Sequence, residues 1–262
     1  MKQIPNIFTL LNLFFGCIAI ILIMQNGMVA TVNDDGETML MLPEKIYWAS
    51  AFIGIAAIID FFDGLVARLL NYASEMGKQL DSLADVVSFG VAPSMIIYQF
   101  LRLSFAQQEG GIDLSILLLL PAFALPCAGA YRLARFNLDK NQTTYFKGVP
   151  IPAVGLLVAS FPLIYWYTQN DTVIHILLNQ WFWYLLVAIL SVLMVSRLPM
   201  LALKFKGFNL KNDLPKIILL ILAIVLGLII KWLAVPVVFV LYVLLSLSMK
   251  RYVTGEIENT VV

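Results

Sequence analysis

The chain has 262 residues, of which 61% are hydrophobic and 13% are charged. That charged fraction is about half of the roughly 25% found in soluble domains, so the composition predicts an integral membrane protein and excludes an ordinary soluble fold. The formal net charge of +1 identifies no partner, and we expect no nucleic-acid binding. Two cysteines lie in apolar runs and the single histidine has no soft ligand near it in sequence, which argues against a zinc site.

Eight apolar stretches are long enough, or nearly so, to cross a bilayer, which takes about 20 residues. They predict helices near 5–24, 47–70, 80–103, 114–136, 150–168, 180–198, 214–230 and 232–249. The last two are separated only by Lys231, which predicts a tight hairpin, with a re-entrant segment as the alternative. The fold class expected is therefore an all-α integral membrane protein with about eight transmembrane helices.

The distribution of basic residues predicts the orientation of these helices. Eight spans place both termini on the same side of the membrane, and 14 of the 17 lysines and arginines fall on that side. Only Lys45, Arg102 and Lys231 fall on the other side of the membrane. Because basic residues accumulate in cytoplasmic connections, the asymmetry predicts cytoplasmic termini and a multi-pass protein of the cell (inner) membrane.

Four aspartates lie within or beside the second and third predicted helices. Asp60 and Asp63 are three residues apart, and Asp81 and Asp85 are four apart, so each pair shares one helical face. Ionised carboxylates in hydrocarbon cost several kcal/mol unless they are neutralised. Oxygen ligands alone favour Mg²⁺ or Mn²⁺, and four bridging carboxylates suit two ions at a site of phosphoryl displacement.

Two glycines and an arginine accompany the acids. Gly64 and Gly77 remove side chains where a phosphate or nucleotide would approach, and Arg68 supplies a cation for phosphate oxygens. The alternative is that the acids form a structural polar network or an ion pathway, as in a cation transporter. Ion conduction, however, has no need of the glycines and the arginine.

The pattern Asp60-x2-Asp63-Gly64-x2-Ala67-Arg68-x8-Gly77-x3-Asp81-x3-Asp85 matches, without departure, the signature of the CDP-alcohol phosphotransferase family. The resemblance implies a six-helix catalytic core over 1–198 with a polar cavity open to the cytoplasm, followed by a C-terminal helical hairpin and short tail over 199–262. It also implies transfer of a phosphatidyl or similar group from a CDP-linked donor to an alcohol, with release of CMP. The residues it assigns are metal ligands at Asp60, Asp63, Asp81 and Asp85, a general base at Asp85, and a nucleotide pocket at Gly64, Ala67, Arg68 and Gly77.

Looser similarities concern the acceptor alcohol. Four segments resemble the phosphatidylserine synthases of this family: 4–12, 81–94, 131–137 and 146–152. The resemblance implies CDP-diacylglycerol and L-serine as substrates. We also expect the protein to form a homodimer. A serine carboxylate needs a cation, for which Arg132, Arg135 and Lys147 are candidates; each could instead be an interfacial anchor or, for Lys147, a contact to lipid phosphate. Glycerol 3-phosphate or an inositol phosphate remains the alternative acceptor.

Overall fold

In a computed structural model, the protein is described over residues 4–25, 27–32, 38–69, 74–108, 115–138, 146–201 and 210–248. The side chains of residues 4–5, 32, 38–39, 67–69, 146 and 210–216 are outside this description. The first half of the described chain contains α1 (Ile4–Met24), β1 (Val29–Val32), β2 (Thr38–Met41), α2 (Lys45–Leu69), α3 (Glu75–Asp85), a π-helical segment (Val86–Val91) and α4 (Ala92–Ala106).

The second half begins with two 3-10 turns, Ile116–Leu118 and Leu120–Phe123. These lead into α5 (Ala124–Leu138), β3 (Phe146–Lys147), α6 (Ile151–Tyr167), α7 (Asp171–Leu177), α8 (Gln180–Val195), β4 (Pro199–Met200), α9 (Leu210–Ile230), a 3-10 turn (Lys231–Leu233) and α10 (Ala234–Ser248). The protein is an all-α membrane protein, to which two short antiparallel ribbons, β1–β2 and β3–β4, are added.

The number of spans is smaller than expected when judged by helix length and composition. Among the described residues, four helical runs are long and apolar enough to cross a membrane: Asn6–Met24, Lys45–Val66, Glu75–Ala106 and Ile217–Ser248. A fifth is added if α7 and α8, bent by 68°, are taken as one span. Because α5 and α6 have 15 and 17 residues, each rises only about 22–26 Å, less than a hydrocarbon core of about 30 Å.

Two predicted boundaries differ most from the structure. The third helix begins at Glu75 and not near 80, because the Ser74 hydroxyl caps it by accepting a hydrogen bond from the Gly77 amide at 2.9 Å. The fourth was expected from 114, but the chain is 3-10 helical up to Phe123 and α-helical only from Ala124. Pro121 disfavours α-helical geometry in the residue before it, which accounts for the late start.

The core is built around α1, α4, α6 and the π-helical segment. α1 packs along α2 and also contacts α3 and α4, while α5 contacts both α8 and the π-helical segment. The interior holds an aromatic cluster in which Trp183 stacks on Phe100 with ring centroids 4.7 Å apart and meets Phe161 edge-on at 5.2 Å. These contacts fix α4, α6 and α8 relative to one another.

Glycine allows α6 to lie directly on the π-helical segment. A Cβ added to Gly155 would lie 2.8 Å from the Cβ and 2.9 Å from the Cα of Phe89, closer than real side chains pack. Phe89 is fully buried at this crossing. The close approach therefore holds the residues that follow Asp85 at a fixed depth in the bundle.

Candidate active site

Three of the four aspartates converge in space. Asp60 on α2 and Asp81 and Asp85 on α3 each offer a carboxylate oxygen, and these oxygens lie within 4.8 Å of one another. Asp85 is 6% exposed, whereas Asp60 and Asp81 are half-buried. Oδ1 of Asp85 is buried and has no hydrogen-bond partner among the described residues. Close oxygen donors with spare lone pairs fit a hard divalent cation such as Mg²⁺ or Mn²⁺.

Asp63 lies one helical turn from Asp60, and the two carboxylates are within electrostatic range of each other. The carboxylate of Asp63 is not part of the three-oxygen group, and it accepts a hydrogen bond from the Thr9 hydroxyl on α1. Asp63 is 7% exposed. The acid cluster therefore consists of Asp60, Asp81 and Asp85, with Asp63 beside it and held by α1.

α1 presents a polar face to the acid-bearing helices. Asn6, Thr9 and Asn12 are spaced three residues apart on this otherwise apolar helix. The Asn6 side-chain oxygen lies by Gly77, at 3.1 Å from a Cβ placed there, and Asn12 lies beside Asp85. The side-chain amide of Asn12 is buried and lies within interaction range of the Asp85 carboxylate. Asn12 is therefore placed to contact a group bound at the acid cluster.

A π-helical segment follows Asp85 immediately. It covers Val86–Val91, so that α3 and α4 form one continuous helical run with a widened turn in the middle. The Ser88 hydroxyl on this segment donates to the Asn12 backbone carbonyl at 3.1 Å. Single π turns often occur at functional sites, since they re-aim the side chains on either side. Here the π turn that follows Asp85 is bonded to α1 through Ser88.

Arg132 on α5 faces the acid cluster. It is 5% exposed and close enough to Asp85 for the two to interact electrostatically. Its Nη2 donates to the Gly148 carbonyl at 3.5 Å, the outer limit for such a bond, and its Nε is buried with no partner among the described residues. A guanidinium carries five N–H donors. Arg132 therefore has unused capacity to bind an anionic group next to Asp85.

Arg135 and Lys147 are placed differently from Arg132. Nη1 and Nη2 of Arg135 donate to the Val195 and Ser196 carbonyls, both at 2.9 Å, so this guanidinium caps the C-terminal end of α8. Lys147 is half-buried in β3, where its Cα partner is Pro199. Arg132 is the candidate cation that lies within electrostatic range of Asp85 in the acid cluster.

The residues assigned to a nucleotide pocket lie at the end of α2 and in the first turn of α3: Gly64, Ala67, Arg68 and Gly77. A Cβ added to Gly64 would meet no atom within 4 Å, so the space above it is open. Gly77 is crowded, since a Cβ there would lie 3.0 Å from the Ser74 hydroxyl oxygen. The side chains of Ala67 and Arg68 lie outside the described residues.

A cavity of about 490 Å³ lies elsewhere, between α9 and α10. Its lining is almost wholly apolar: Ala223, Gly227, Lys231, Trp232, Ala234, Val235 and Val238. No acid contributes to this lining, so the cavity does not suit a nucleotide or a metal. Lys231 lies where the helix is interrupted and has a left-handed φ of 51°.

Comparison with known proteins agrees with the geometry. A family model described as CDP-alcohol phosphatidyltransferase matches residues 2–192. The chain belongs to this family. The match contains the acid cluster, α1 and Arg132, and it ends within α8.

Several curated relatives share one name, CDP-diacylglycerol--serine O-phosphatidyltransferase. The Bacillus subtilis protein is 39% identical over 123 residues, which is 46% of this chain and 64% of the relative. A Helicobacter pylori protein is 36% identical over 180 residues, 64% of this chain and 69% of the relative. The Saccharomyces cerevisiae protein is 37% identical over 142 residues, 51% of this chain and 48% of the relative. The chain thus spans less than two thirds of the length of some of these relatives.

Thr9 and Asn12 lie beside Asp63 and Asp85, and the sequence pattern did not indicate this. The sequence feature that could have indicated them is the recurrence of polar residues at every third position of an apolar helix. A single polar residue in such a helix is common, and only the packing of α1 between α2 and α3 gives these two side chains acidic neighbours. The π-helical segment was likewise not predicted.

Proposed function

We propose that this protein transfers a phosphatidyl group from CDP-diacylglycerol to L-serine, giving phosphatidylserine and CMP. The observation that carries the proposal is the pairing of a carboxylate cluster with a buried arginine that has unused donors, Asp85 facing Arg132. Family membership and the shared name of the relatives support it.

Two Mg²⁺ or Mn²⁺ ions belong to the proposed site. Asp60, Asp81 and Asp85 would hold them, with Asp63 as a fourth ligand, since the three clustered oxygens and the neighbouring carboxylate supply only hard donors. When bound, such ions neutralise the charge of a diphosphate and stabilise charge that develops on phosphoryl oxygens.

The chain's own residues then act on the acceptor. Asp85 takes the proton of the serine hydroxyl while the serine oxygen forms a bond to the phosphatidyl phosphorus. The bond from that phosphorus to the CMP oxygen breaks, and CMP leaves with the electron pair. A carboxylate within hydrogen-bond reach of the hydroxyl is suited to this role. The Oδ1 lone pairs of Asp85, unpartnered among the described residues, support the assignment.

Arg132 binds the serine carboxylate in this proposal. A planar guanidinium matches a carboxylate with two parallel hydrogen bonds, and Arg132 is buried beside the proposed base. Arg135 stabilises the neighbouring end of α8, and Lys147 remains a candidate for the serine or a lipid phosphate. Gly64, Ala67, Arg68 and Gly77 would form the CDP pocket, for which the open space at Gly64 is the supporting observation.

The membrane arrangement is part of the same proposal. Residues 1–198 form the catalytic core with six spans, residues 199–262 add a hairpin of two spans and a short tail, and the protein forms a homodimer. Both termini and a polar cavity at the acid cluster face the cytoplasm of the cell (inner) membrane, where L-serine is available. The excess of basic residues on the predicted cytoplasmic side supports this orientation.

An acceptor panel tests the proposal. Purified protein in detergent with Mn²⁺ receives CDP-diacylglycerol labelled in the cytidine, together with L-serine, glycerol 3-phosphate or an inositol phosphate. We expect the release of CMP to depend on L-serine, and we expect the lipid product to contain serine. CMP release that depends on another acceptor would contradict the serine assignment. Metal flux in proteoliposomes without any CMP release would instead indicate a transporter.

A further inference from the structure

Of the four described helical runs that are long enough to span a membrane, Ile217–Ser248 is the least buried. Its apolar 18-residue stretch has 11% of its residues buried, against 56% in Glu75–Ala106. The run also has the highest mean hydropathy of the four, 2.9. Most of the surface of α9 and α10 is therefore available to lipid or to another chain.

The cavity of about 490 Å³ between α9 and α10 interrupts this apolar surface. Ala223 and Gly227 line it from one face of α9, and Val235 and Val238 line it from α10. A Cβ added to Gly227 would meet no atom within 4 Å, so the cavity reaches the backbone of α9. An apolar cavity of this size suits an alkyl chain.

One charged group belongs to the lining of this cavity. Lys231 stands where α9 ends, and it is the only charged residue from Ile217 to Ser248. Its side chain is exposed, and it makes no ion pair or hydrogen bond with any residue in the described part of the chain. Because an ammonium next to hydrocarbon is costly unless an anion accompanies it, Lys231 favours a negatively charged ligand.

The length of α9 places Lys231 at the level of lipid headgroups. The apolar part of α9, Ile217–Ile230, has 14 residues and rises about 21 Å, less than a hydrocarbon core of about 30 Å. In the proposed orientation the helix therefore ends below the far headgroups, and the methylene stem of Lys231 carries its ammonium toward them. The neighbouring Trp232 is a residue type that favours the same interface. The ammonium thus meets the membrane where phospholipids carry their phosphate.

A phospholipid suits the cavity better than a second copy of this chain does. A twofold-symmetric dimer brings one surface against itself, so an interface centred on the cavity would place two Lys231 side chains together. The run Ile217–Ser248 contains no acidic residue that could neutralise them. A lipid supplies both missing partners, since its phosphate is negative and its acyl chain is apolar.

We propose that the cavity between α9 and α10 binds one anionic phospholipid, with its phosphate on Lys231 and an acyl chain along Gly227 and Val238. A zwitterionic lipid binds less well, because its own ammonium repels Lys231. The site lies beyond residues 2–192, which the family model matches, and none of the acid cluster lines it. It is therefore separate from the site of the proposed transfer reaction.

The test measures lipid binding to the full-length protein in detergent, without substrates. Delipidated protein is titrated with phosphatidylglycerol or phosphatidylcholine, bound lipid is counted by native mass spectrometry, and Tm is recorded in parallel. We expect one phosphatidylglycerol per chain to bind at a concentration about fivefold lower than phosphatidylcholine, the factor that one lysine contributes near an anionic headgroup. Binding should also raise Tm. Equal binding of the two lipids would overturn the proposal.

Lys231→Gln tests the contact to the phosphate. The concentration of phosphatidylglycerol for half-saturation should rise about fivefold and match that of phosphatidylcholine. Lys45→Gln is the matched control, because Lys45 is exposed, lies on the same predicted side of the membrane and does not line the cavity. This control should bind phosphatidylglycerol like the parent. Parent-like binding by Lys231→Gln would contradict the proposal, as would an equal loss in both variants, which indicates a general attraction between charges.

Gly227→Leu tests the cavity itself, since the new side chain would occupy it. We expect the bound phosphatidylglycerol to be lost and Tm to stop responding to added lipid. Gly54→Leu is the control: a Cβ at Gly54 also meets nothing within 4 Å, but Gly54 is not part of the lining. Should Gly227→Leu not fold, Ala223→Leu takes its place with the same expected loss.

Two results with the cavity-filling variant would overturn the proposal. Unchanged phosphatidylglycerol binding would show that the lipid lies elsewhere on the protein. A change from dimer to monomer in the native mass spectrum, absent from Gly54→Leu, would show that a second copy of the chain covers the cavity.

Discussion

The hydroxyl of Thr9 on α1 donates a hydrogen bond to the carboxylate of Asp63 on α2, 54 residues away. Both side chains are buried. Asp63 is thus bonded to α1, whereas Asp60, Asp81 and Asp85 form a group of three carboxylates, so the four acids of one signature have two different environments. α1 therefore contacts an acid-bearing helix through a buried polar side chain as well as through apolar packing.

Replacing Thr9 with valine removes this donor and keeps the shape of the side chain. We expect the free energy of unfolding in detergent to fall by about 1–3 kcal/mol without metal, because a buried carboxylate loses its hydrogen bond. Added Mn²⁺ should recover part of the loss if Asp63 becomes available as a ligand. The exposed Thr172, replaced by valine, is the control. Equal stability of Thr9→Val and the parent would contradict the bond.

Replacing Asp85 with asparagine tests the proposed base. Serine-dependent CMP release should fall by about 10²–10⁴-fold, since an amide cannot accept the hydroxyl proton. Binding of CDP-diacylglycerol, measured by titration in detergent, should persist. Asp171→Asn, at an exposed acid in the first turn of α7, should change neither quantity. Normal turnover in Asp85→Asn would show that the base lies elsewhere.

Removal of divalent metal should abolish activity. A chelator is expected to stop CMP release, and titration with Mn²⁺ or Mg²⁺ should restore it. In Asp60→Asn and Asp81→Asn the Mn²⁺ concentration for half-maximal activity should rise by at least about tenfold, because each substitution removes a charged oxygen from the cluster. Full activity in the presence of chelator would exclude the metal site.

Arg132 and Arg135 should give different phenotypes although they are three residues apart. Arg132→Lys should raise the KM for L-serine by about tenfold or more, since lysine cannot form the planar fork. Arg135→Ala should leave that KM unchanged and lower the free energy of unfolding by about 1–3 kcal/mol, because the Val195 and Ser196 carbonyls lose their donors. The reverse pattern would assign acceptor binding to Arg135.

Gly16→Ala should loosen the contact between α1 and the π-helical segment. Its new Cβ would lie 2.9 Å from the Ser88 Cα, so backbone must move, at a cost of about 1–3 kcal/mol. Gly54→Ala, where an added Cβ meets nothing within 4 Å, is the control and should be neutral or stabilising. The difference in Tm between the two variants measures the effect, and equal Tm values would contradict the close approach.

The sequence predicted the convergence of Asp60, Asp81 and Asp85 because helical periodicity and one short connection suffice to bring two faces together. It could not separate Arg132 from Arg135, since their difference depends on where α8 ends and which carbonyls need donors there. It also gave no sign of the π-helical segment, because Val-Val-Ser-Phe-Gly-Val has no periodicity of its own. The missed features all depend on contacts between distant parts of the chain.

The run from Glu75 to Ala106 has 32 residues and so extends about 48 Å, whereas the hydrocarbon layer is about 30 Å thick. In the proposed orientation Arg102 lies near the far boundary, and a bilayer interior of this thickness would then end about 20 residues earlier, close to Asp85. The acids would then lie level with the glycerol backbone of surrounding phospholipids. A donor lipid could present its headgroup there without being lifted from its leaflet, and the fatty acyl chains would need no dedicated binding tunnel.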